Sequence, residues 1–197
     1  AVVFYHAEIE LFKGGWLGVD IFFVISGYLI SNIIISELNE QSFTLKNFYL
    51  KRVRRILPAL FSTLFLIMPF AYFLLTPKAL KEYADSMLAS IFFFSNYHFQ
   101  NLDFYIAEST KFMPLLHTWS LAIEEQYYLL FPIFSIFLYR YFKKYFTLGI
   151  VFMILVSIYL NSLTGEIIKF YQLQFRIWEL LLGVLVMIVS SNLQIKN

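Results

Sequence analysis

The sequence predicts an all-α bundle of membrane-spanning helices, and three observations carry that expectation. Of its 197 residues 60% are hydrophobic and only 14% charged, whereas a soluble domain carries about 25% charged residues. Windows free of Asp, Glu, Lys and Arg recur along the chain, each near the roughly 20 apolar residues that cross a bilayer core. The 24 Phe and 14 Tyr suit a surface facing lipid and its boundaries. Absence of cysteine excludes disulfides and thiolate chemistry. A formal charge of +2, with no basic stripe interleaved with aromatics, argues against a nucleic-acid partner.

The spans follow in order. Residues 1–7 read as the tail of a first helix, and 14–36 as a second span with one charge, Asp20. Residues 56–77 carry no charge, and Pro58 near their start suits a first helical turn. Residues 145–165 form another clean window, and 177–195 hold only Glu179. Segment 118–139 is apolar only after Glu125, and 86–102 is apolar but punctuated by Ser90, Ser95, Asn96 and His98. This gives about five or six membrane segments plus the first-helix tail.

Orientation rests on the loop predicted at 46–55, which holds Lys46, Lys51, Arg52, Arg54 and Arg55. Basic loops stay in the cytoplasm, so this one is expected there, as is the cluster Arg140, Lys143 and Lys144. Parity then makes 86–102 re-entrant or interfacial; the alternative is that it crosses and the smaller cluster breaks the rule. There is no internal repeat and no linker, so 1–197 reads as one domain. Ala1 falls inside an apolar segment without an initiator Met or a charged leader, so the expectation is a partial bundle lacking its start and its later helices.

Ionisable groups inside lipid cost roughly 2.5 kcal/mol or more, so each needs a partner, a wet cavity or a role. The richest intrusion runs from His117 through Thr118, Trp119 and Ser120 to Glu124 and Glu125. Seven residues apart, His117 and Glu124 would share one helix face. The plainer reading is a polar loop at the membrane surface, with Trp119, Tyr127 and Tyr128 as interfacial aromatics. Arg52 and Arg55, three apart, offer paired guanidiniums that fit phosphate oxygens, or else a topological signal that binds headgroups. Asp20 either pins two helices through a hydrogen bond or orients a nearby His or Arg. Arg176 and Glu179 are spaced to pair on a helix, which favours a structural ion pair. His6, near the outer end of the first helix, is an interfacial residue or a general base suited to activating a hydroxyl. The three histidines lack metal-ligand spacing, and no phosphate-binding glycine loop or nucleophile elbow is present.

Five motifs stand in order: FYHA (4–7), GGWLGVDIFFVISGYLI (14–30), FYLKRVRRILPAL (48–60), LLHTWSLAIEEQYYLLFP (115–132) and FRIWELLLGVL (175–185). Together they resemble the bacterial membrane-bound acyltransferase-3 family over essentially the whole chain. The spelling is most similar to the branch that O-acylates cell-envelope polysaccharides, lipopolysaccharide among them. The resemblance implies an enzyme of the bacterial inner (cytoplasmic) membrane that passes an acyl group, usually acetyl, from acyl-CoA to a glycan hydroxyl. Acyl-CoA is then a co-substrate, no cofactor is bound, and membrane lipid and the glycan acceptor are the partners. The resemblance matches His6 to the family's essential histidine, Arg52 and Arg55 to the arginine motif that engages the CoA phosphates, and Glu124 and Glu125 to its acidic motif. From these and the residues themselves, His6, Asp20 and Glu124 are expected to be catalytic, with Asp20 or Glu124 orienting the imidazole, while Arg52, Arg55, His117, Ser120 and Glu125 are expected to contact substrate. The family pairs its histidine with an upstream arginine that this chain does not contain. Without the resemblance, intramembrane acids would favour a transporter or flippase, although no duplication into matching halves is visible.

Overall fold

The computed structural model describes residues 14, 15, 17–102 and 113–194, with side chains as far as residue 191. His6 lies outside the described residues. Within them the chain forms eight α-helices, one short 3₁₀ turn and no strand. Five helices are long and apolar enough to cross a membrane: α1 (Leu17–Asn39), α2 (Leu45–Leu74), α5 (Thr118–Tyr141), α6 (Phe146–Leu163) and α8 (Leu173–Gln194). The shorter elements are α3 (Pro77–Ile91), α4 (Ser95–Gln100) and α7 (Glu166–Tyr171). An all-α polytopic membrane bundle is therefore what the chain forms.

The elements divide into two compact units, one of residues 1–42 and 127–197 and the other of residues 43–126. In the first unit α1, α6 and α8 pack together with the later part of α5. The α1–α8 contact is so close that a Cβ on Gly27 would lie 1.8 Å from the Leu180 carbonyl oxygen. A Cβ on Gly183 would lie 2.0 Å from the Val24 oxygen and 2.5 Å from the Tyr28 nitrogen. Small residues are what let membrane helices approach backbone to backbone. From α6, Ser157 donates to the Gln174 carbonyl (2.8 Å) and Asn161 to the Phe175 carbonyl (3.0 Å), tying α6 to the first turn of α8. Helix α1 closes on Gln41 in the left-handed region (φ 55°), with the Ser42 N–H reaching back to the Glu37 carbonyl at 2.9 Å.

In the second unit α2 starts at an N-cap, where Thr44 accepts from the Asn47 N–H. Its 30 residues make about 45 Å of helix, against a hydrocarbon core of roughly 30 Å. This corrects the sequence expectation, because residues 46–55 are not a loop but the opening turns of α2. Pro58 likewise sits inside the helix rather than in its first turn, and Ser62 Oγ donates to the Pro58 carbonyl at 2.7 Å. The excess length leaves the basic turns room to stand at headgroup level while the apolar remainder spans. Toward its end α2 presents Phe65, Phe73 and Leu74 with 77%, 81% and 78% of their surface uncovered, as a lipid-facing helix would.

Segment 86–102 is also not one element. Thr76 caps α3, with Pro77 in its first turn, and α3 runs through Lys78, Lys81, Glu82 and Asp85 to Ile91. The chain then breaks at 92–94, where Phe93 adopts a positive φ of 57°, and restarts as α4. Neither helix is long enough to span alone.

Candidate functional site

Polar side chains gather in two places, one in each unit. In the second unit the centre is the opening of α5. Thr118 and Ser90 share a 2.8 Å hydrogen bond, and Ser95 Oγ donates to the Thr118 carbonyl at 2.8 Å. Two turns on, Gln126 Nε2 donates to both the Phe93 carbonyl and Asn96 Oδ1, each at 3.0 Å. The helix break at 92–94 frees backbone groups, and in a membrane protein these must find partners within the protein. Gln126 supplies one to the Phe93 carbonyl while Ser95 reaches across to the Thr118 carbonyl, so the polar punctuation of 86–102 locks the break to α5. Gln126→Leu is therefore expected to cost about 1–3 kcal/mol, since it strands the Phe93 carbonyl and removes a bond to the buried Asn96. Thermal unfolding of the purified protein measures the loss.

Beside this lock stand Glu124 and Glu125. Glu124 is buried, with 4% of its surface uncovered. Glu125 is half-buried, and its Oε1 has no hydrogen-bond partner among the described residues. Glu124 and, from α2, Arg52 both act on it electrostatically. Arg52 is half-buried and lies over the Phe48 ring at 5.7 Å, whereas Arg55 is exposed. The two arginines lie on one helix but in different environments, so only Arg52 is brought to the acids.

His117 departs from the sequence expectation. It precedes α5, in the turn 114–117, so it does not share a helix face with Glu124. The residue is exposed. Even so, the surrounding chain strips enough water from it to lower its pKa, against an opposing hydrogen bond to the Pro114 backbone. Ser120 Oγ donates to the His117 carbonyl at 3.1 Å, an exposed local bond at the helix start. The surface-loop reading fails too: Trp119, Tyr127 and Tyr128 are buried, with 8%, 1% and 6% uncovered.

In the first unit Arg176 of α8 binds two carboxylates. Its Nε lies 2.9 Å from Glu179 Oε1, the intrahelical pair expected from the spacing. Its Nη2 lies 2.5 Å from Asp20 Oδ1 on α1. Both readings of Asp20 thus meet in one bond, which pins two helices and engages an arginine. The guanidinium also stacks near Phe23 and Phe170, at 5.4 and 5.5 Å from their ring centres. Two acids and one cation leave a net negative charge in a largely buried cluster.

Sequence reasoning missed several polar groups. Asn96 entered only as polar punctuation of 86–102, and Gln126 lay within the fourth motif without a role of its own. Tyr127 and Ser135, eight residues apart on α5, are buried with hydroxyls lacking a partner among the described residues. No group of three metal-ligating side chains occurs among the described residues.

Comparison with known proteins agrees with this picture. An acyltransferase domain family (Acyl_transf_3) matches residues 1–193. The O-acetyltransferase OatA of Staphylococcus aureus (strain NCTC 8325) is 35% identical over 205 residues, covering 100% of this chain and 34% of its own. The peptidoglycan O-acetyltransferase OatA of Listeria monocytogenes is 39% identical over 147 residues, 73% of this chain and 23% of its own. A further protein of Staphylococcus aureus (strain COL) is 34% identical over 204 residues, again 100% of this chain and 34% of its own. The chain thus spans about a third of the length of the Staphylococcus aureus relatives. No solved structure matches it.

Proposed function

Because the chain belongs to the acyltransferase family whose domain it matches over residues 1–193, we propose that it forms part of the membrane site of an O-acyltransferase. The reaction moves an acyl group, acetyl in the simplest case, from acyl-CoA to a hydroxyl of a cell-envelope glycan at the bacterial cytoplasmic membrane. A relative named as a peptidoglycan O-acetyltransferase favours peptidoglycan over lipopolysaccharide as the acceptor.

The observation that carries this reading is the half-buried Arg52 acting electrostatically on Glu125, one carboxylate oxygen of which is buried without a partner among the described residues. A membrane helix bears such groups at a cost, and binding a polar substrate is what offsets it. In the reaction the acceptor hydroxyl loses its proton to a base as its oxygen attacks the thioester carbonyl. The carbon–sulfur bond then breaks, and the proton passes on to the departing CoA thiolate. We assign to His6 the role of base or of transient acyl carrier. Arg52, with Arg55 outside it, holds the anionic end of the donor at the basic opening of α2. Glu125 accepts a hydrogen bond from substrate, and Glu124 sets the charge around it. His117 and Ser120, at the entrance to α5, contact the acceptor. Asp20 acts through Arg176, which occupies its Oδ1.

Arg52→Ala in the intact protein is expected to raise the KM for acyl-CoA by roughly 10- to 100-fold, because a charge-assisted hydrogen bond is worth about 1.5–3 kcal/mol. The KM for the glycan should stay near wild type. An unchanged dependence on acyl-CoA would remove Arg52 from donor binding.

A further inference from the structure

Helices α5 and α6 meet at a very short turn. The span of α5 ends at Tyr141 and the one leading into α6 begins at Lys143, so Phe142 alone separates them. Because both helices cross, the turn between them lies at the level of the lipid headgroups. Around it the sequence reads Tyr139-Arg140-Tyr141-Phe142-Lys143-Lys144-Tyr145, with cations set among aromatic rings. The mechanism above uses none of these residues.

Arg140, Lys143 and Lys144 are all exposed, and none pairs with a carboxylate among the described residues. Aromatic rings hold them instead. Lys143 Nζ stands 4.3 Å from the centre of the Tyr139 ring, the Arg140 guanidinium 5.8 Å from that of Tyr141, and Lys144 Nζ 5.9 Å from that of Tyr145. A ring face covers a cation from one side and leaves N–H donors open on the others. Phe137, Tyr141, Phe142 and Tyr145 are exposed around the turn, as aromatic residues are where lipid tails give way to headgroups.

Arg140 suits its place in the last turn of α5, because the carboxyl end of a helix is negative. The two lysines do not suit theirs. They open the 3₁₀ turn that leads into α6, whose positive end has neither an acid in its first turn nor a side-chain cap. Cations gathered at that end repel one another and the helix dipole unless an anion joins them. The Tyr139 hydroxyl donates to Asn39 Oδ1 of α1, which brings Glu37 and Glu40 to the same end of the unit. Neither acid pairs with the three cations, which outnumber them, so this end stays positive.

Depth narrows the anion. A soluble phosphate ester would satisfy the lysines but leave the neighbouring apolar surface bare. Ile133 and Phe137 of α5 and Leu148 and Phe152 of α6 are exposed on either side of the turn, and acyl chains would cover them. A phospholipid supplies both parts in one molecule.

We propose that the α5–α6 turn is a binding surface for the headgroup of an anionic phospholipid, phosphatidylglycerol in the simplest case. Lys143 and Lys144 donate hydrogen bonds to its phosphate, Arg140 adds charge, and its acyl chains lie along the two helices. Nothing in this assignment depends on the acyl-transfer reading.

The test titrates the intact protein in detergent with dioleoylphosphatidylglycerol or dioleoylphosphatidylethanolamine and counts bound lipids by native mass spectrometry. The basic opening of α2 also attracts anions, so the readout is the difference between wild type and variants. Wild type is expected to prefer phosphatidylglycerol. Lys144→Gln should weaken the tightest phosphatidylglycerol binding at this surface about fivefold. The triple variant Arg140→Gln, Lys143→Gln, Lys144→Gln should weaken it about a hundredfold, so that at least one tightly bound lipid is lost. Lys169→Gln is the control and should change nothing, since Lys169 already pairs with Glu166 at 2.6 Å. If the triple variant has a lowered thermal midpoint, Lys144→Gln carries the test alone. Inorganic phosphate in about tenfold excess should not displace the lipid; displacement would make this a site for free phosphate and overturn the lipid assignment. Equal binding of both lipids by wild type also overturns it, as does a correctly folded variant that keeps every tightly bound phosphatidylglycerol. Acetyl transfer is measured separately, and its failure would leave the lipid result standing.

Discussion

Gly27→Ala and Gly183→Ala are each expected to destabilise the protein by about 3 kcal/mol, the upper end for overpacking a tight contact. The methyl group added at position 27 would fall 1.8 Å from a backbone oxygen of α8, and that added at position 183 would fall 2.0 Å from one of α1. Neither obstacle is a side chain that can swing away, so the helices must separate. Separation would also lengthen the Asp20–Arg176 bond that crosses the same pair. Once one methyl group has forced the helices apart, the second costs less, so the double variant should lose less than the sum of the two. Gly14 and Gly165 have nothing within 4 Å of an added Cβ and serve as controls that should change stability little. Thermal unfolding of the intact protein in detergent measures all four.

Arg176→Met is the second large effect, with an expected loss of about 3–5 kcal/mol, because it leaves the buried Glu179 facing the half-buried Asp20 without their cation. Glu179 is 4% exposed and cannot rehydrate in place. Asp20→Asn should cost less, since Arg176 keeps its bond to Glu179 and the cluster moves toward neutrality. Adding Glu179→Gln to Arg176→Met should recover part of the loss. If Arg176→Met proves as stable as wild type, the cluster is not what holds α1 to α8. Unfolding in denaturant, referenced to wild type, gives the comparison.

How much of this could be read from the sequence depends on the range of each interaction. The spans were readable because lipid excludes charge, and the nearly charge-free windows overlap α1, α2, α6 and α8. Their ends were not. A window ends at the first Arg or Lys, but a helix continues for as long as its backbone bonds do, so residues 46–55 became the first turns of α2. The Arg176–Glu179 pair was readable because three residues on a helix are neighbours. Its third member, Asp20, lies 156 residues away in sequence, and no local pattern reports that. The break at Phe93 carries no glycine or asparagine in the left-handed position. Only its distant partners on α5 explain it. His117 and Glu124 show the converse error, for their spacing is helical but the helix begins one residue too late.

The central claim is that this chain belongs to an enzyme carrying acyl groups to a glycan hydroxyl, with His6 as the base or transient acyl carrier. The most direct measurement supplies radiolabelled acetyl-CoA to the intact protein in proteoliposomes, with a peptidoglycan fragment as acceptor. Label should appear in the glycan as an alkali-labile ester, with free CoA released in equal amount, and His6→Ala should abolish both while folded protein remains. Correctly folded wild-type protein that leaves acetyl-CoA unconsumed, or a His6→Ala variant that acylates as wild type does, would contradict the account.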